Sequence, residues 1–543
     1  MSRNYPISSQ YLPKLIANNA IYVDKTSFIV SLLTKKNNAA YFLSRPRRFG
    51  KSLFVSALEQ VFLGKKELFK DKFIYDKHHW EAFPIIRLSL DSISFTSLGL
   101  PESLLLRLQN IAKSYEISLT TTDYVETFKE LIQSLYDKYQ KKVVILIDEY
   151  DKPIIHGIEK DDSTVAEKNR DILKSFYGVL KDSDQYLRFT FITGVSRFAK
   201  VSIFSDLNHL DDLTLDAKYA AICGFTEAEI RHYCADGLQD LAEKEGGTVE
   251  TIMDKIRFWY NGFSWNAKDF VYNPYSTMLL MHKQVFDIYW FDTATPTFLV
   301  KLIHKHYEYN FKNLQVEKGL YHWHDLKNLN YVSIMLQTGY LTFKAHIVDD
   351  LYEVGYPNNE VSNAFSKMLL GSYLHQDGNS FGSALYKIET SLRRNDLKEV
   401  IHILTEMFKI LPSQFFWEDA EKVDKKGNVS IVKRQVGESF YHAVIYLIFN
   451  ILAIRMKVEI PTSAGRIDAI VETDTHVYLF EFKKDRKAKA AIQQIWQNQY
   501  ANLYSLSKKQ IVCIGMCFTI QKKGVSDAVF MNLEAVEAYL NPK

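Results

Sequence analysis

Residues 40–53, AYFLSRPRRFGKSL, constrain the fold of this 543-residue chain more than any other stretch. Four apolar residues open it, as is typical of a buried strand, and a turn with one proline and three arginines follows. The next three residues, GKS, indicate the start of a helix. A strand, a loop that can surround a phosphate and a helix start form a phosphate-binding loop. The stretch therefore predicts an α/β fold with an anion site.

The residue types in this loop suit nucleotide binding. Backbone N–H groups and the helix dipole favour an anion at a helix N-terminus. Lys51 is placed to reach the β- and γ-phosphates, and the Ser52 hydroxyl to bind Mg²⁺. The predicted cofactor-binding residues are Arg45, Pro46, Arg47, Arg48, Phe49, Gly50, Lys51 and Ser52. The motif GxxxxGK[ST] has glycine at the position of Arg45, so a basic turn before an ordinary helix is the alternative.

Composition bounds the remaining possibilities. A chain of 543 residues exceeds one hydrophobic core, so two or three domains are expected. The net charge of +3 gives no case for global nucleic-acid affinity, and any such site must be local. The first residues lack the apolar core of a signal peptide, and no apolar stretch approaches the roughly 20 residues of a membrane span. We therefore expect a cytoplasmic protein without a membrane partner.

Strands and helices alternate through the first part of the chain. Further buried strands are predicted at residues 83–90, 142–148 and 187–194, and helices at 52–63, 101–140 and 165–182. This alternation predicts a doubly wound parallel sheet. From about residue 223 helical and aromatic stretches dominate, with a capping box at Thr226 and Glu229 and a short strand pair of a winged or lid-like module within 331–343. The predicted domains are an ATPase-like domain at 1–222, a helical lid or winged-helix-like region at 223–360, a helical connector at 361–429 with a polar loop at 424–428, and an α/β domain at 430–543.

Two acidic residues, Asp148 and Glu149, end the strand predicted at 142–148. Open parallel sheets bind ligands at this edge. Asp148 is predicted to hold Mg²⁺ through water, and Glu149 to orient or deprotonate the attacking water. At the end of the next strand, Thr193 is predicted to sense the γ-phosphate and Arg197 to stabilise transferred charge. The alternatives are carboxylates that cap the following helix and a solvated arginine.

The C-terminal region contains a predicted hairpin of residues 465–471 and 477–483. Centred between Asp474 and Thr475, its register places Asp468 directly opposite Glu481, with Cβ atoms about 5 Å apart.

Lys483 shares the face of Glu481 because strand side chains alternate with period two. Asp468 and Glu481 are predicted metal ligands, Glu438 from the preceding helix a third, and Lys483 a catalytic residue that positions water or neutralises phosphate. The metal is Mg²⁺, with Mn²⁺ as an alternative. This chemistry suits phosphodiester cleavage. The alternative is a solvent-exposed Glu–Lys face with no catalytic role.

Cations cluster after this hairpin, at Lys483, Lys484, Arg486, Lys487 and Lys489. A basic patch beside a metal site favours nucleic-acid phosphates, and a solvated start of the helix predicted at 489–506 is the alternative.

Nine segments in order resemble one family. They are YVDKT (22–26), RPRRFGKS (45–52), LIDEYDKP (146–153), ITGVSRF (192–198), IFSDLN (203–208), CGFTE (223–227), WYNGF (259–263), YNPYS (272–276) and GYLT (339–342). They resemble the AAA-ATPase-like family that is commonly fused to a PD-(D/E)XK nuclease-like domain in prokaryotes. That family tends to carry the Arg-Pro-Arg-Arg-Phe loop, so Arg45 is expected. The resemblance implies ATP binding and hydrolysis and supplies no substrate.

The C-terminal region resembles a RecB-like PD-(D/E)XK nuclease domain of restriction-endonuclease type. Glu438, Asp468 and the Glu481–Lys483 run match its motifs, as do Gln494 and Tyr500 on the helix behind, while Ile467 replaces the proline. We therefore expect an ATPase that acts on nucleic acid, DNA before RNA, with ATP controlling access or assembly. A switch that binds nucleic acid or a protein without cutting is the alternative, and a homo-oligomer stays open.

Overall fold

The computed structural model of the chain describes residues 4–7, 9–35, 40–91, 95–160, 163–197, 203–204, 210–290, 299–300, 303, 311, 313–322, 330–374, 381–409, 417–423, 429–435, 438–452, 457–459, 467–504, 508–519 and 524–541. The chain divides into two units, Met1–Leu299 with Asn313–Val361, and Val300–Lys312 with Ser362–Lys543. The finer four-part division stays a prediction, and its boundary loop at 424–428 lies outside the described residues.

The described helices and strands are numbered in chain order. The helices are α1 Leu12–Ala17, α2 Thr26–Leu33, α3 Lys51–Phe62, α4 Phe95–Leu98, α5 Leu100–Ser114, α6 Tyr124–Tyr139, α7 Lys152–Glu159, α8 Ser163–Asp182, α9 Glu227–Tyr233, α10 Ala235–Glu245, α11 Val249–Tyr260, α12 Pro274–Lys283, α13 Tyr331–Thr338, α14 Asn359–Leu374, α15 Gly382–Arg393, α16 Leu397–Lys409, α17 Glu438–Leu452, α18 Ala488–Gln497 and α19 Leu533–Leu540. The strands are β1 Ala40–Ser44, β2 Ile85–Ser89, β3 Val143–Asp148, β4 Leu187–Gly194, β5 Asp211–Asp212, β6 Leu314–Glu317, β7 Thr342–Val348, β8 Leu351–Gly355, β9 Trp417–Val423, β10 Val429–Gln435, β11 Lys457–Glu459, β12 Ala469–Glu472, β13 His476–Lys484, β14 Gln510–Thr519 and β15 Gly524–Asn532. None of these described helices combines the length and hydropathy of a bilayer crossing.

A parallel sheet in the order β2-β3-β4-β1-β5 forms the centre of the first unit. Strand β4 therefore lies between the strand before the phosphate loop and the strand that ends in the acidic pair. The register sets Thr193 beside Leu43, and Ile192 beside Ile147. Because these strands are parallel, their carboxyl ends meet at one edge of the sheet. The predicted doubly wound parallel sheet is confirmed.

Helices cover both faces of this sheet. On one face Phe42, Ile145 and Ile147 join a buried cluster with side chains of α5, α6 and α8. On the other face Phe54 of α3 packs against Phe191, with ring centroids 5.5 Å apart. Helix α3 presents apolar residues at helical spacing along its buried side, so packing holds its N-terminus against the sheet edge.

The rest of the first unit is mostly helical, with a small sheet. Helices α9 to α12 enclose a separate buried cluster. Thr226 and Glu229 form the predicted capping box at the start of α9. Strands β6, β8 and β7 form an antiparallel sheet in that order. The strand pair expected within 331–343 lies further along the chain, since residues 331–338 are helical and Gly339, at φ 88°, ends that helix in the left-handed conformation.

The second unit is built on a mixed sheet in the order β11-β12-β13-β14-β15, in which β13 and β14 are parallel. Phe449 of α17 packs on Phe480 from one face, and α18 and α19 pack on the other. The helix predicted at 489–506 stops at Gln497. Gln499 takes the left-handed conformation at φ 52°, so a 3₁₀ turn at Tyr500–Tyr504 follows.

Substitution of Gly194 tests the close packing at the carboxyl edge of β4. A Cβ atom there would lie 2.5 Å from Asp151 Oδ1 and 2.5 Å from Tyr150 Cδ1, so Gly194→Ala should destabilise the fold by about 1–3 kcal/mol. A Cβ atom on Gly178 in α8 meets nothing within 4 Å, and Gly178→Ala should be neutral or stabilising by up to about 1 kcal/mol. Denaturant unfolding measures both, and equal effects would contradict the packing.

Candidate functional sites

The phosphate loop runs from Ser44 at the end of β1 to Lys51 at the start of α3. Gly50, directly before the helix, has φ 94°, and Arg48 has φ 64°. These left-handed residues turn the chain sharply onto the helix axis. Lys51 Nζ donates to the Pro46 carbonyl at 3.0 Å, so the lysine folds back over its own loop. The loop and helix start predicted from the sequence are therefore present.

Arg45 lies inside the core. Its guanidinium stacks 3.8 Å from the centre of the Trp265 ring and donates to the carbonyls of Ser44, Thr214 and Tyr219. Burial lowers the pKa of Arg45 to about 10. Arg45 stands at the position where the motif has glycine, and its buried side chain stabilises the start of the loop. Direct phosphate contact by Arg45 stays a prediction.

Three further loop residues contact aromatic side chains from later in the chain. The Arg48 guanidinium lies 3.8 Å from the centre of the Tyr275 ring. The Arg47 carbonyl accepts a hydrogen bond from Trp290 Nε1 at 2.9 Å. Phe49 is buried. The loop is therefore held from its outer side, while Ser52 lies partly exposed in the first turn of α3.

Asp148 ends β3 at the same sheet edge. Its side chain is only 3% exposed, and Oδ1 is buried without a hydrogen-bond partner. The Asp148 carbonyl accepts from the Leu90 backbone N–H at 3.1 Å, which fixes the strand end. A buried carboxylate oxygen without a partner is costly, and a hard cation such as Mg²⁺ removes that cost. Asp148 therefore fits the predicted metal-binding role.

Glu149 follows Asp148 with φ 54°, an uncommon backbone conformation for this residue type. Burial is the main reason that the pKa of Glu149 is raised to about 7, and the charges of Asp91, Asp148 and Asp151 add to the rise. Lys51 opposes it, because its positive charge favours the ionised carboxylate. The loop lysine and the acidic residue thus share one site. A carboxylate that titrates near neutral pH suits a general base.

Thr193 and Arg197 are buried on the neighbouring strand end. Thr193 Oγ1 donates to the Leu43 carbonyl at 2.8 Å. Arg197 forms an ion pair with Asp212, and its backbone N–H donates to Gln337 Oε1 at 2.6 Å. The sequence alternative of a solvated Arg197 is therefore wrong. The predicted roles of both residues toward phosphate stay predictions.

Sequence reasoning missed Asp151 as a structural part of this site. Its carboxylate accepts from the backbone N–H groups of Val195 and Ser196, the latter at 2.7 Å. Asp151 therefore joins the turn after β3 to the turn after β4. The signal was its place three residues after Asp148, where it precedes helix α7.

In the second unit the hairpin register is as predicted. Ala469 pairs with Phe480. The same register, extended by one residue, places Asp468 opposite Glu481, as expected. Asp468 Oδ2 accepts from the Phe482 backbone N–H at 2.7 Å. Strand β12 begins at Ala469, one residue after Asp468, and the start of the predicted strand at 465–466 lies outside the described residues.

Glu481 is the most deeply buried acidic residue of this site, at 1% exposure. Oε1 accepts from Lys483 Nζ at 2.8 Å, and Oε2 is buried without a hydrogen-bond partner. Burial, and then the charge of Asp468, raises the pKa of Glu481 to about 7, and Lys483 opposes the rise. The alternative prediction of an exposed Glu–Lys face is therefore wrong.

Close packing of α18 explains this burial. Gly515 lies beside Glu481 on the neighbouring strand β14. A Cβ atom on Gly515 would lie 2.6 Å from the Ala488 carbonyl oxygen, so glycine is what lets α18 approach the sheet there. The helix covers the face that carries the carboxylate.

The third predicted ligand, the side chain of Glu438, lies outside the described residues, although Glu438 begins α17. Among the residues that the structure describes, no group of three or more His, Cys, Asp or Glu side chains is placed to hold a metal ion. Asp468 and Glu481 are the described part of the predicted set. Behind them Gln494 is half-buried, and Tyr500 Oη accepts from Asn498 Nδ2 at 2.7 Å.

The predicted basic patch divides. Lys483 contacts Glu481, and Lys489 Nζ lies 3.3 Å from the Leu540 carbonyl on the C-terminal helix. Lys484 lies 3.8 Å from Asp485. Arg486 and Lys487 are exposed. Lys483 and Lys489 are therefore engaged within the unit, while Arg486 and Lys487 are the exposed cations of the predicted patch.

The two folds and their sites define a phosphate-loop nucleotide-binding unit joined to a nuclease-like unit. The family model for predicted AAA-ATPase matches residues 6–204, and the model for the PD-(D/E)XK nuclease superfamily matches residues 436–527. The "Uncharacterized protein in vnfD 5'region" of Azotobacter chroococcum mcd 1 is 33% identical over 546 residues, which cover 98% of this chain and 100% of that protein. The chain belongs to this family of AAA-ATPase-like proteins with a C-terminal PD-(D/E)XK nuclease superfamily domain. No solved structure gives a significant match.

Replacing Glu481 with glutamine should change how stability depends on pH. The pKa of Glu481 is raised from 4.5 to about 7, so the folded protein keeps this proton to higher pH than the unfolded chain. Its stabilising contribution is present below the lower value and is lost as the pH rises through the upper one. In EDTA, the wild type should lose roughly 1–3 kcal/mol relative to Glu481→Gln between pH 5 and 8. A pH-independent difference in thermal unfolding would contradict this.

Proposed function

We propose that the first unit binds ATP with Mg²⁺ at the phosphate loop and hydrolyses it. The observation that carries this is the buried Asp148 carboxylate, with an oxygen free of hydrogen bonds, at the sheet edge that also holds Lys51 and Glu149. Ser52 and Asp148 hold the metal, and Lys51 binds the β- and γ-phosphates. Glu149 orients the attacking water and accepts its proton.

The second unit cleaves phosphodiester bonds in nucleic acid, with DNA favoured over RNA. Asp468 and Glu481, joined by Glu438, hold Mg²⁺ or Mn²⁺, and Lys483 positions the attacking water or neutralises the scissile phosphate. At both sites the metal, when bound, neutralises phosphate charge and, in the second unit, lowers the pKa of water. The support is the buried Glu481 carboxylate with Asp468 and Lys483 beside it, in agreement with the superfamily match.

In this proposal the nucleotide state controls access to the nuclease site or assembly of the chain. Its support is the presence of two sites in one polypeptide. A second candidate is a switch that binds nucleic acid or a protein partner without cutting it.

Lys51→Ala should weaken ATP binding by at least about tenfold, because it removes charge-assisted hydrogen bonds to phosphate. Lys35→Ala provides the control, since Lys35 forms a half-exposed ion pair with Asp211 in the same unit. Titration calorimetry with ATP and Mg²⁺ measures both variants. Equal affinities of Lys51→Ala and the wild type would contradict the assignment of the loop.

Glu481→Ala should abolish metal-dependent cleavage of plasmid and single-stranded DNA. Glu472→Ala is the matched control, because Glu472 lies on the same hairpin and pairs with Lys509 at 2.8 Å. Gel assays with Mg²⁺ and with Mn²⁺ measure the products. A wild type that binds DNA and leaves it uncut under both metals would favour the non-cleaving switch.

A further inference from the structure

Trp290 contacts the phosphate loop from 243 positions along the sequence. Its indole Nε1 donates to the Arg47 carbonyl at 2.9 Å. The side chain is 1% exposed and is the largest of the fully buried side chains among the residues that the structure describes. Its ring lies against Tyr340 at 5.3 Å and Phe263 at 6.1 Å between ring centres. The indole is thus fixed by packing against two aromatic rings and by the hydrogen bond from its Nε1.

One other carbonyl of the loop and its proline ring are also contacted by residues from later in the chain. The Phe49 carbonyl accepts from the Gly224 backbone N–H at 3.2 Å, and the Phe49 ring packs edge-on against Phe263. Pro46 rests on Gly339, where a Cβ atom would lie 2.6 Å from the proline ring. Residues well after the phosphate loop in sequence therefore bind its outer side at three points.

Because each peptide is planar and trans, a hydrogen bond to a loop carbonyl also fixes the direction of the N–H group that follows it. In each trans peptide the carbonyl and the following N–H point in opposite directions. The hydrogen bond from Trp290 to the Arg47 carbonyl therefore turns the Arg48 N–H to the opposite side of the loop. The Gly224 contact does the same for the Gly50 N–H. An anion needs these N–H groups facing it and is repelled by carbonyl oxygens.

Glu360 fixes the backbone of Trp290. Its Oε1 accepts from the Trp290 N–H at 2.8 Å and from the Tyr289 N–H at 2.6 Å, and the Ser276 hydroxyl donates to Oε2 at 2.8 Å. The Glu360 side chain is fully buried. Hydrogen bonds from backbone N–H groups to a buried carboxylate are strong, so the position of the indole is well determined.

We propose that Trp290 is a positioning residue for nucleotide binding, which holds the Arg47 carbonyl outward so that loop N–H groups face the phosphates. The inference rests on the proposed ATP site. It assigns to Trp290, a residue outside the loop and outside the acidic strand end, part of the affinity for the triphosphate.

Trp290→Phe keeps an aromatic ring and removes the donor. Its Kd for ATP with Mg²⁺ should rise by about two-fold to tenfold, which corresponds to one hydrogen bond. Trp80→Phe is the matched control, since Trp80 Nε1 donates to the Tyr75 carbonyl at 3.0 Å in the same unit. It should bind ATP as the wild type does. A merely structural role would lower the thermal midpoint of Trp290→Phe and leave its Kd unchanged, which would overturn the proposal.

Glu360→Gln keeps an acceptor oxygen and the size of the side chain, so it serves if Trp290→Phe does not fold. Its Kd for ATP should rise above the wild-type value, but by less than the Kd of Trp290→Phe, because the hydrogen bonds to the Trp290 backbone lose their charge. Wild-type affinity in Glu360→Gln would overturn the inference. Failure of the wild type to bind ATP would instead overturn the proposed function, so the two failures are distinguishable.

Discussion

Both candidate sites depend on a buried carboxylate with one oxygen that lacks a hydrogen-bond partner. At Asp148 this oxygen is Oδ1, and at Glu481 it is Oε2. Burying a carboxylate oxygen without a partner costs free energy, and a bound cation would remove that cost, which is why we propose a metal ion at both sites. The raised pKa values of Glu149 and Glu481 reflect the same burial. The rest of each unit positions these groups: parallel strands align the first site, and a hairpin register with close helix packing aligns the second.

The phosphate loop shows how a departure from a motif is accommodated. Arg45 replaces a small residue with a large cation, and the protein buries it against Trp265 with carbonyl partners. Residues beyond the parallel sheet also donate hydrogen bonds to carbonyls of the loop, among them the Gly224 N–H and Trp290 Nε1. The sheet and the helical region after it therefore both contact the phosphate loop within the first unit.

Sequence reasoning predicted the features that depend on local pattern. Apolar runs that alternate with helical stretches predicted the parallel sheet. The position of the hairpin turn predicted the register that places Asp468 opposite Glu481. Features that depend on distant contacts were not predictable. The Trp290 hydrogen bond to Arg47 spans 243 positions and has no local signature. The end of α18 depends on the left-handed Gln499, a residue type that ordinarily continues a helix. The ion pair that buries Arg197 requires Asp212, which lies on a strand of two residues.

Nucleotide-dependent DNA cleavage is the proposed link between the two sites: nucleotide bound at the first site changes the activity of the second. Its most direct test is the initial rate of Mg²⁺-dependent DNA cleavage with no nucleotide, ADP, ATP or a non-hydrolysable ATP analogue, in the wild type and in Lys51→Ala. The rate should depend on the nucleotide in the wild type and be independent of it in the variant. A wild-type rate that is the same under all four conditions would contradict it.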